Sequence, residues 1–164
     1  MKLTRLVPAA VAAVALLAGC SPTPGTALIV DGNRYTEGQV DQIVDGCAEA
    51  LEITSDQIRR SGVVGTLLLG ELFDSFEADV SDEDLEAAAG QMGSQQLFDV
   101  DDCRPLALAN TKVQMLGGLD PQMIQDGAQG LDVQLNPRYG KWAPDTPQLL
   151  DGSGSLSVPT VAFR

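Results

Sequence analysis

The chain has no histidine. That absence removes the commonest general base and the commonest imidazole metal ligand together. Lysine could replace histidine as the base beside a serine nucleophile, but beyond the first residues only Lys112 and Lys141 occur, and neither sits in a recognisable motif. Positive charge is scarce altogether, with 10 Lys+Arg against 23 Asp+Glu and a formal net charge of −13. So acidic a surface repels phosphate backbones, which argues against a nucleic-acid partner, and it disfavours lying flat on anionic lipid. The simplest role of such charge is solubility, with a cationic partner as the less favoured alternative. No phosphate-cradling glycine loop precedes a helix, and Gly152-Ser153-Gly154-Ser155 lacks the form of a nucleophile elbow. Asp99, Asp101 and Asp102 lack the glycine turn and distal glutamate of a calcium loop, so they read as helix caps. Met92, Met115 and Met123 read as core filler rather than a client-binding surface. The expectation is a protein without catalytic residues, without a cofactor and without a metal.

What is present begins at the first residue. The opening MKLTRLVPAAVAAVALLAGC places Lys2 and Arg5 before an uncharged apolar run, Val7 to Leu17, and then small residues and a cysteine. That is the order of a secretory signal. The apolar run is short for a bilayer span, which takes about 20 apolar residues. An uncleaved anchor helix is the alternative. Leu17-Ala18-Gly19-Cys20 resembles a bacterial lipobox, in which the cysteine is acylated and becomes the first mature residue. The resemblance implies a signal peptide over 1–19 and lipid on Cys20, which holds the protein on the outer face of the bacterial cytoplasmic membrane. A short proline-bearing tether, 20–26, follows. Removal of residues 1–19 from the 164 leaves 145, enough for one domain with a core, and takes away two bases, so −13 becomes −15. Cys47 and Cys103 then remain as an even pair in an oxidising compartment, which predicts a disulfide, free buried thiols being the alternative.

The body reads as mainly α. Ala27-Leu28-Ile29-Val30 is a short apolar run that ends in Asp31-Gly32-Asn33, tight-turn chemistry from which Arg34-Tyr35 could pair back. Thr36 followed by Gln39 forms a capping-box pattern, and Val40, Ile43, Val44, Cys47 and Leu51 follow at helical spacing over about 37–52. Cys47 lies on the apolar side of that helix, so its partner should be inside the bundle. The most apolar helix runs over about 61–78, with Val63, Leu67, Leu68, Leu72 and Phe76. Ser81, with Asp82, Glu83 and Asp84 behind it, opens a third and peripheral helix. Asp101 or Asp102 caps a fourth, with Pro105 in its first turn and Leu106, Ala109, Val113 and Leu116 as its buried stripe. Asp120-Pro121 opens a short fifth helix, and Gly127 to Gly130 separate it from Leu131-Asp132-Val133-Gln134-Leu135, which alternates as a half-buried strand does. The fold class expected is a small bundle of four or five helices closed by a short β-ribbon pairing the N- and C-terminal strands. The folded domain spans 27–142. After Trp142 the composition turns to Pro, Gly, Ser and Asp, and 143–164 reads as a disordered tail.

The order of these elements resembles the N-terminal domain of SurA- and PrsA-type secretion chaperones. ALIVDGNRYTEGQVDQIV looks like their opening strand, turn and Thr-capped helix, and LLLGELFDSFEADVSDEDLEAAA like the long apolar helix followed by a Ser-Asp-capped acidic one. LDVQLNPRYGKW resembles the closing strand of a lipoprotein branch common in actinobacteria. The likeness spans roughly 27–142 and carries no catalytic residue. Relatives often insert a parvulin-type prolyl isomerase before the closing strand, and no room for one exists here. The resemblance implies an ATP-independent, membrane-anchored holdase for unfolded or nascent exported proteins, with an exposed apolar groove between helices and ribbon. The alternative is a structural or interaction lipoprotein that binds one envelope or cell-wall partner.

Overall fold

A computed structural model describes residues 24–76 and 80–151. The signal segment, Cys20 and the end of the presumed tail, 152–164, lie outside the described residues. The element order is β1 (Thr26–Val30), β2 (Asn33–Thr36), α1 (Glu37–Ala50), α2 (Arg60–Asp74), α3 (Asp82–Gln91), α4 (Arg104–Leu116), α5 (Pro121–Gly130), β3 (Val133–Leu135), β4 (Lys141–Ala143) and β5 (Leu149–Asp151). Five helices carry the body and a small antiparallel sheet closes it, in the architecture expected.

Local chemistry accounts for most boundaries. Asp31 and Gly32 both take positive φ, 47° and 89°, so the two-residue turn between β1 and β2 has the left-handed backbone that matches strand twist. Thr36 caps α1 with its hydroxyl 3.2 Å from the Gln39 amide, and the Gln39 side chain returns to the Thr36 amide at 2.8 Å. Ser81 and Asp84 repeat the arrangement at the start of α3, and the Asp120 carboxylate accepts from the Gln122 amide at 2.7 Å at the start of α5. The fourth helix departs from expectation. Its N-cap is Cys103, and neither Asp101 nor Asp102 caps it. Cys103 is fully buried and held by its sulfur, so the covalent tie rather than a carboxylate sets where the helix starts.

The sheet has the order β2-β1-β3, all antiparallel, with Leu28 opposite Leu135 and Val30 opposite Val133. The N- and C-terminal parts of the fold are thus joined, as the alternation at 131–135 predicts. Leu28 and Val30 are buried on the helix side, and with Val40, Val44, Val64, Leu67 and Leu68 they make the main core. A second cluster, Leu72, Phe73, Leu116, Ala128 and Leu149, lies at the other end of α2. Cys47 and Cys103 are disulfide-bonded across 56 residues, with Cα atoms 4.6 Å apart, inside the main core.

Three further expectations need correction. Residues 127–130 do not separate α5 from the closing strand but form the last turn of that helix, leaving Leu131 and Asp132 as the connection. Gly127 suits that place because a Cβ would stand 2.6 Å from the tip of the Phe76 ring, which would have to move. The buried residues of α4 are Ala107, Ala109, Thr111 and Leu116, while Leu106 and Val113 are only half-buried, because the helix is covered by α3 on one side and by α2 on the other. The folded region also does not stop at Trp142. Residues 143–151 return as a hairpin in which Trp142 pairs with Leu150 and Leu149 is buried in the second cluster. Burial of Leu149, with Leu150 packed beside it, outweighs the polar composition around them, and Leu149 accepts a φ of 59° to reach its place.

Candidate binding grooves

A cluster of charged and phenolic groups fixes the frame on which the grooves stand. Glu37, in the first turn of α1, accepts from Tyr139 at 2.5 Å, from Arg60 of α2 at 2.9 Å and from Asn136 at 3.2 Å. Arg60 also pairs with Asp41, and Arg138 stands 3.6 Å from Glu37. Burial works against the Glu37 charge, yet the hydrogen bonds from Tyr139 and Arg60 and the charges of Arg138 and Arg60 hold its carboxyl below the usual carboxylate range. These groups come from residues a hundred apart in the chain and clasp the starts of two helices to the segment after β3. They are mutually satisfied, which marks them as structural rather than reactive.

Between α2, α4 and the start of α3 lies a polar cavity of about 320 Å³, lined by Tyr35, Glu71, Asp74, Asp101, Arg104 and Lys112 among others. Lys112 reaches Asp74 at 2.6 Å, and Tyr35 donates to Glu71. Burial, that hydrogen bond and the charges of Glu71 and Asp74 push the Tyr35 phenol well above its ordinary value. The phenol therefore stays protonated and serves as a donor. No group of three or more metal-ligating side chains gathers among the described residues.

The apolar opening is elsewhere. A groove of about 350 Å³ runs between α1, the turn after it, α2 and α4, floored by Cys47, Ile58, Val63, Leu97 and Leu106. Its rim carries Leu51, which is 41% exposed, and Ile53, at 38%, stands two residues on. Arg59 is the charged residue among those that line it. The lining is fixed by construction, since Cys47 is bonded to Cys103 and α1 is held at its other end by the Glu37 cluster. The expected position, between helices and ribbon, is not where this groove lies. It is enclosed by α1, α2, α4 and the connections after α1 and α3, whereas the cavity that does lie between helices and ribbon, beside Tyr35 of β2, is the one lined by Glu71, Asp74, Arg104 and Lys112.

A separate groove of about 450 Å³ does adjoin the ribbon, bounded by Val133, Leu135, Pro137, Gly140, Lys141 and Trp142. Met115 packs against the second cluster as core filler, but Met92 is 41% and Met123 52% exposed, so two of the three methionines are surface residues. They lie on the outward sides of α5 and the end of α3, helices too short to bury a second face. No helix among the described residues is long and apolar enough to cross a membrane. No family model, curated protein or solved structure matches this chain.

Sequence reasoning places the Cys47–Cys103 bond and points to a groove of some kind. The residues that build the helical groove read in sequence only as helix stripes or as part of a polar connection, 53–61. The signal that could find them is the pair Leu51 and Ile53, apolar residues at a helix end where the chain turns polar.

Proposed function

We propose that this chain is a lipid-anchored, extracytoplasmic, ATP-independent holdase for exported polypeptides, without prolyl isomerase activity. The observation that supports this reading is the helical groove with Leu51 and Ile53 at its edge, which brings together two of the four exposed large hydrophobic residues among the described residues. Exposed apolar area rimmed by polar residues marks interaction sites on soluble proteins. The resemblance of the element order to SurA- and PrsA-type N-terminal domains adds the class of occupant, an unfolded chain. Lipid on Cys20 would place the groove just outside the membrane that exported proteins cross.

The rigidity of that groove favours a second reading, an interaction lipoprotein with one folded envelope or cell-wall partner. A disulfide in the floor restricts adaptation to varied clients.

The test is light scattering from a chemically unfolded client with and without the oxidised protein. The holdase reading expects suppression near equimolar ratio without ATP, and loss of most of it in the double variant Leu51→Asp, Ile53→Asp. Both residues are partly exposed but stand at the C-terminal end of α1, where added carboxylates are disfavoured, so stability should fall by about 1–2 kcal/mol and a urea midpoint confirms that the variant is folded. Absence of suppression across several clients, or a double variant as active as the parent, sinks it. One crosslinked partner recovered in stoichiometric amount would favour the second reading. Metabolic labelling with a fatty-acid analogue reads the anchor, since label should enter the parent and not Cys20→Ala.

A further inference from the structure

The three-stranded sheet ends at β3, which has β1 on one side and, among the described residues, no strand on the other. The ladder shows which groups that edge presents. Asp31 donates to the Asp132 carbonyl and Asn136 to the Ala27 carbonyl, both at or below 3.0 Å, so residues 132, 134 and 136 turn their peptide groups toward β1. In an antiparallel pair the residues between them turn theirs away. Val133 and Leu135 therefore direct two N–H and two C=O groups outward, and among the described residues no backbone bond meets them from that side.

Three observations meet at this edge. The ribbon-side groove of about 450 Å³ lies along it, bounded by Val133 and Leu135 and by Gly140, Lys141 and Trp142. The indole Nε1 of Trp142 is the buried side-chain polar atom that lacks a hydrogen-bond partner among the described residues. Unpaired buried donors are uncommon and call for an acceptor. The lining also contains no acidic residue, in a chain with 23 of them, and it includes the exposed Lys141, whose cross-strand neighbour in the β4–β5 ladder is Asp151.

We propose that this edge takes an extended polypeptide segment as an added strand, with a carboxylate of that segment set against Lys141. The inference rests on the holdase reading for the class of occupant and adds a second site, with its mode of binding and its charge preference. Main-chain hydrogen bonds to Val133 and Leu135 give affinity that is indifferent to most of the sequence, which suits varied clients. The groove accepts the alternate side chains. Lys141 supplies selectivity by opposite charge.

Trp142 is the one tryptophan of the chain, so its emission reports occupancy. The protein, lipidated and held in nanodiscs, is titrated with a short capped peptide of alternating valine and threonine bearing one central aspartate. The expected result is a saturable change in Trp142 emission. A peptide methylated on alternate amide nitrogens should bind roughly tenfold more weakly, since it cannot donate to the edge. Replacing its aspartate by lysine should weaken binding, and Lys141→Glu should invert that preference. Val133→Pro removes one outward donor while leaving the β1 ladder bonded, and should weaken the unmethylated peptide by a similar factor. No saturable change, or equal affinity for methylated and unmethylated peptides, overturns the proposal, as does binding that appears only after residues 152–164 are removed. The two readings fail separately. If client suppression persists while the peptide never binds, the edge is wrong and the holdase stands. If the peptide binds as expected and no client is protected, the edge stands without the holdase.

Discussion

The two ends of α2 are held in different ways. At its start the main core is closed by three independent kinds of tie, namely the Cys47–Cys103 bond, the Glu37–Arg60–Tyr139 cluster and the β2-β1-β3 ladder. At its end the second cluster is closed mainly by apolar contact, with Phe76 against Gly127 and Leu149 against its neighbours, and the polar ties nearby are the Tyr35–Glu71 hydrogen bond and a Lys112–Asp74 pair whose carboxylate is about half exposed. Exposed ion pairs contribute little. Redundant ties make the first end insensitive to any one loss of packing, whereas the second depends on each large side chain it has. Both proposed grooves lie on the residues of the first end or beside its ribbon, where the lining is fixed. Binding surface and rigid frame therefore coincide, and the looser half lies away from them.

The largest expected effect tests whether the ties at the first end are additive. Closing a loop of 56 residues restricts the unfolded chain by roughly 4 kcal/mol, a large share of the roughly 5–15 kcal/mol typical of a domain. The paired variant Cys47→Ala, Cys103→Ala should lower the urea midpoint accordingly, and reductant should shift the parent toward the variant. A loss below about 1 kcal/mol would mean that the unfolded chain is already compact around that loop, or that the native bond is strained. The contrast between the ends would then rest on the Glu37 cluster and the ribbon.

Next in size is a substitution at the other end. Leu149 is 7% exposed and has no polar or covalent substitute for its contacts. Leu149→Ala should cost about 2–3 kcal/mol, toward the low end for a buried leucine because it borders the surface. Amide exchange should quicken in α5, β4 and β5 while α1 and β1 keep their protection. Uniform acceleration across both ends would show one cooperative unit and remove the distinction.

These two ends also differ in how far they can be read from sequence. The first is legible because its signals are local and strong. Thr36 with Gln39 is a capping box within one turn, Asp31-Gly32 is a turn by its chemistry, and 131–135 alternates like a half-buried strand. The cysteine pair follows from counting. At the second end the signals are weak or point the wrong way. Gly127 and Gly130, three residues apart, suggest a linker after Asp126, yet Gly127 is helical and Phe76 occupies the space of its missing Cβ. Leu149 and Leu150 sit in a stretch whose prolines, glycines and aspartates argue for disorder, and the contact that orders them comes from α2, far away in sequence. The candidate sites are the least legible part. A groove is a property of spacing between elements, and neither the gap beside Cys47 nor the open side of β3 leaves a mark in periodicity. Glu37 reads as a first-turn acid and nothing more, since its partners Arg60 and Tyr139 are contributed by other elements.

The smallest expected effect isolates that carboxylate. Because Glu37 is held below its ordinary value when folded, the folded state favours its charged form more than the unfolded chain does. Its stabilisation is complete above the unfolded carboxylate range and is lost as pH falls through the folded value. Glu37→Gln keeps the shape and removes the charge, and should cost about 1 kcal/mol at neutral pH, as expected for a partly solvated set of charge-assisted hydrogen bonds. The difference between parent and variant should shrink steadily on acidification, as read by urea midpoints at stepped pH. Tyr35→Phe gives the mirror test. Its phenol is raised in the folded state, so its contribution is present below the unfolded phenol value and is lost as pH rises from there through the folded one. A constant gap between parent and Glu37→Gln at every pH would mean that the side chain acts through packing. The first end of the molecule would then have two ties rather than three, and the difference between the ends would narrow to the disulfide and the ribbon.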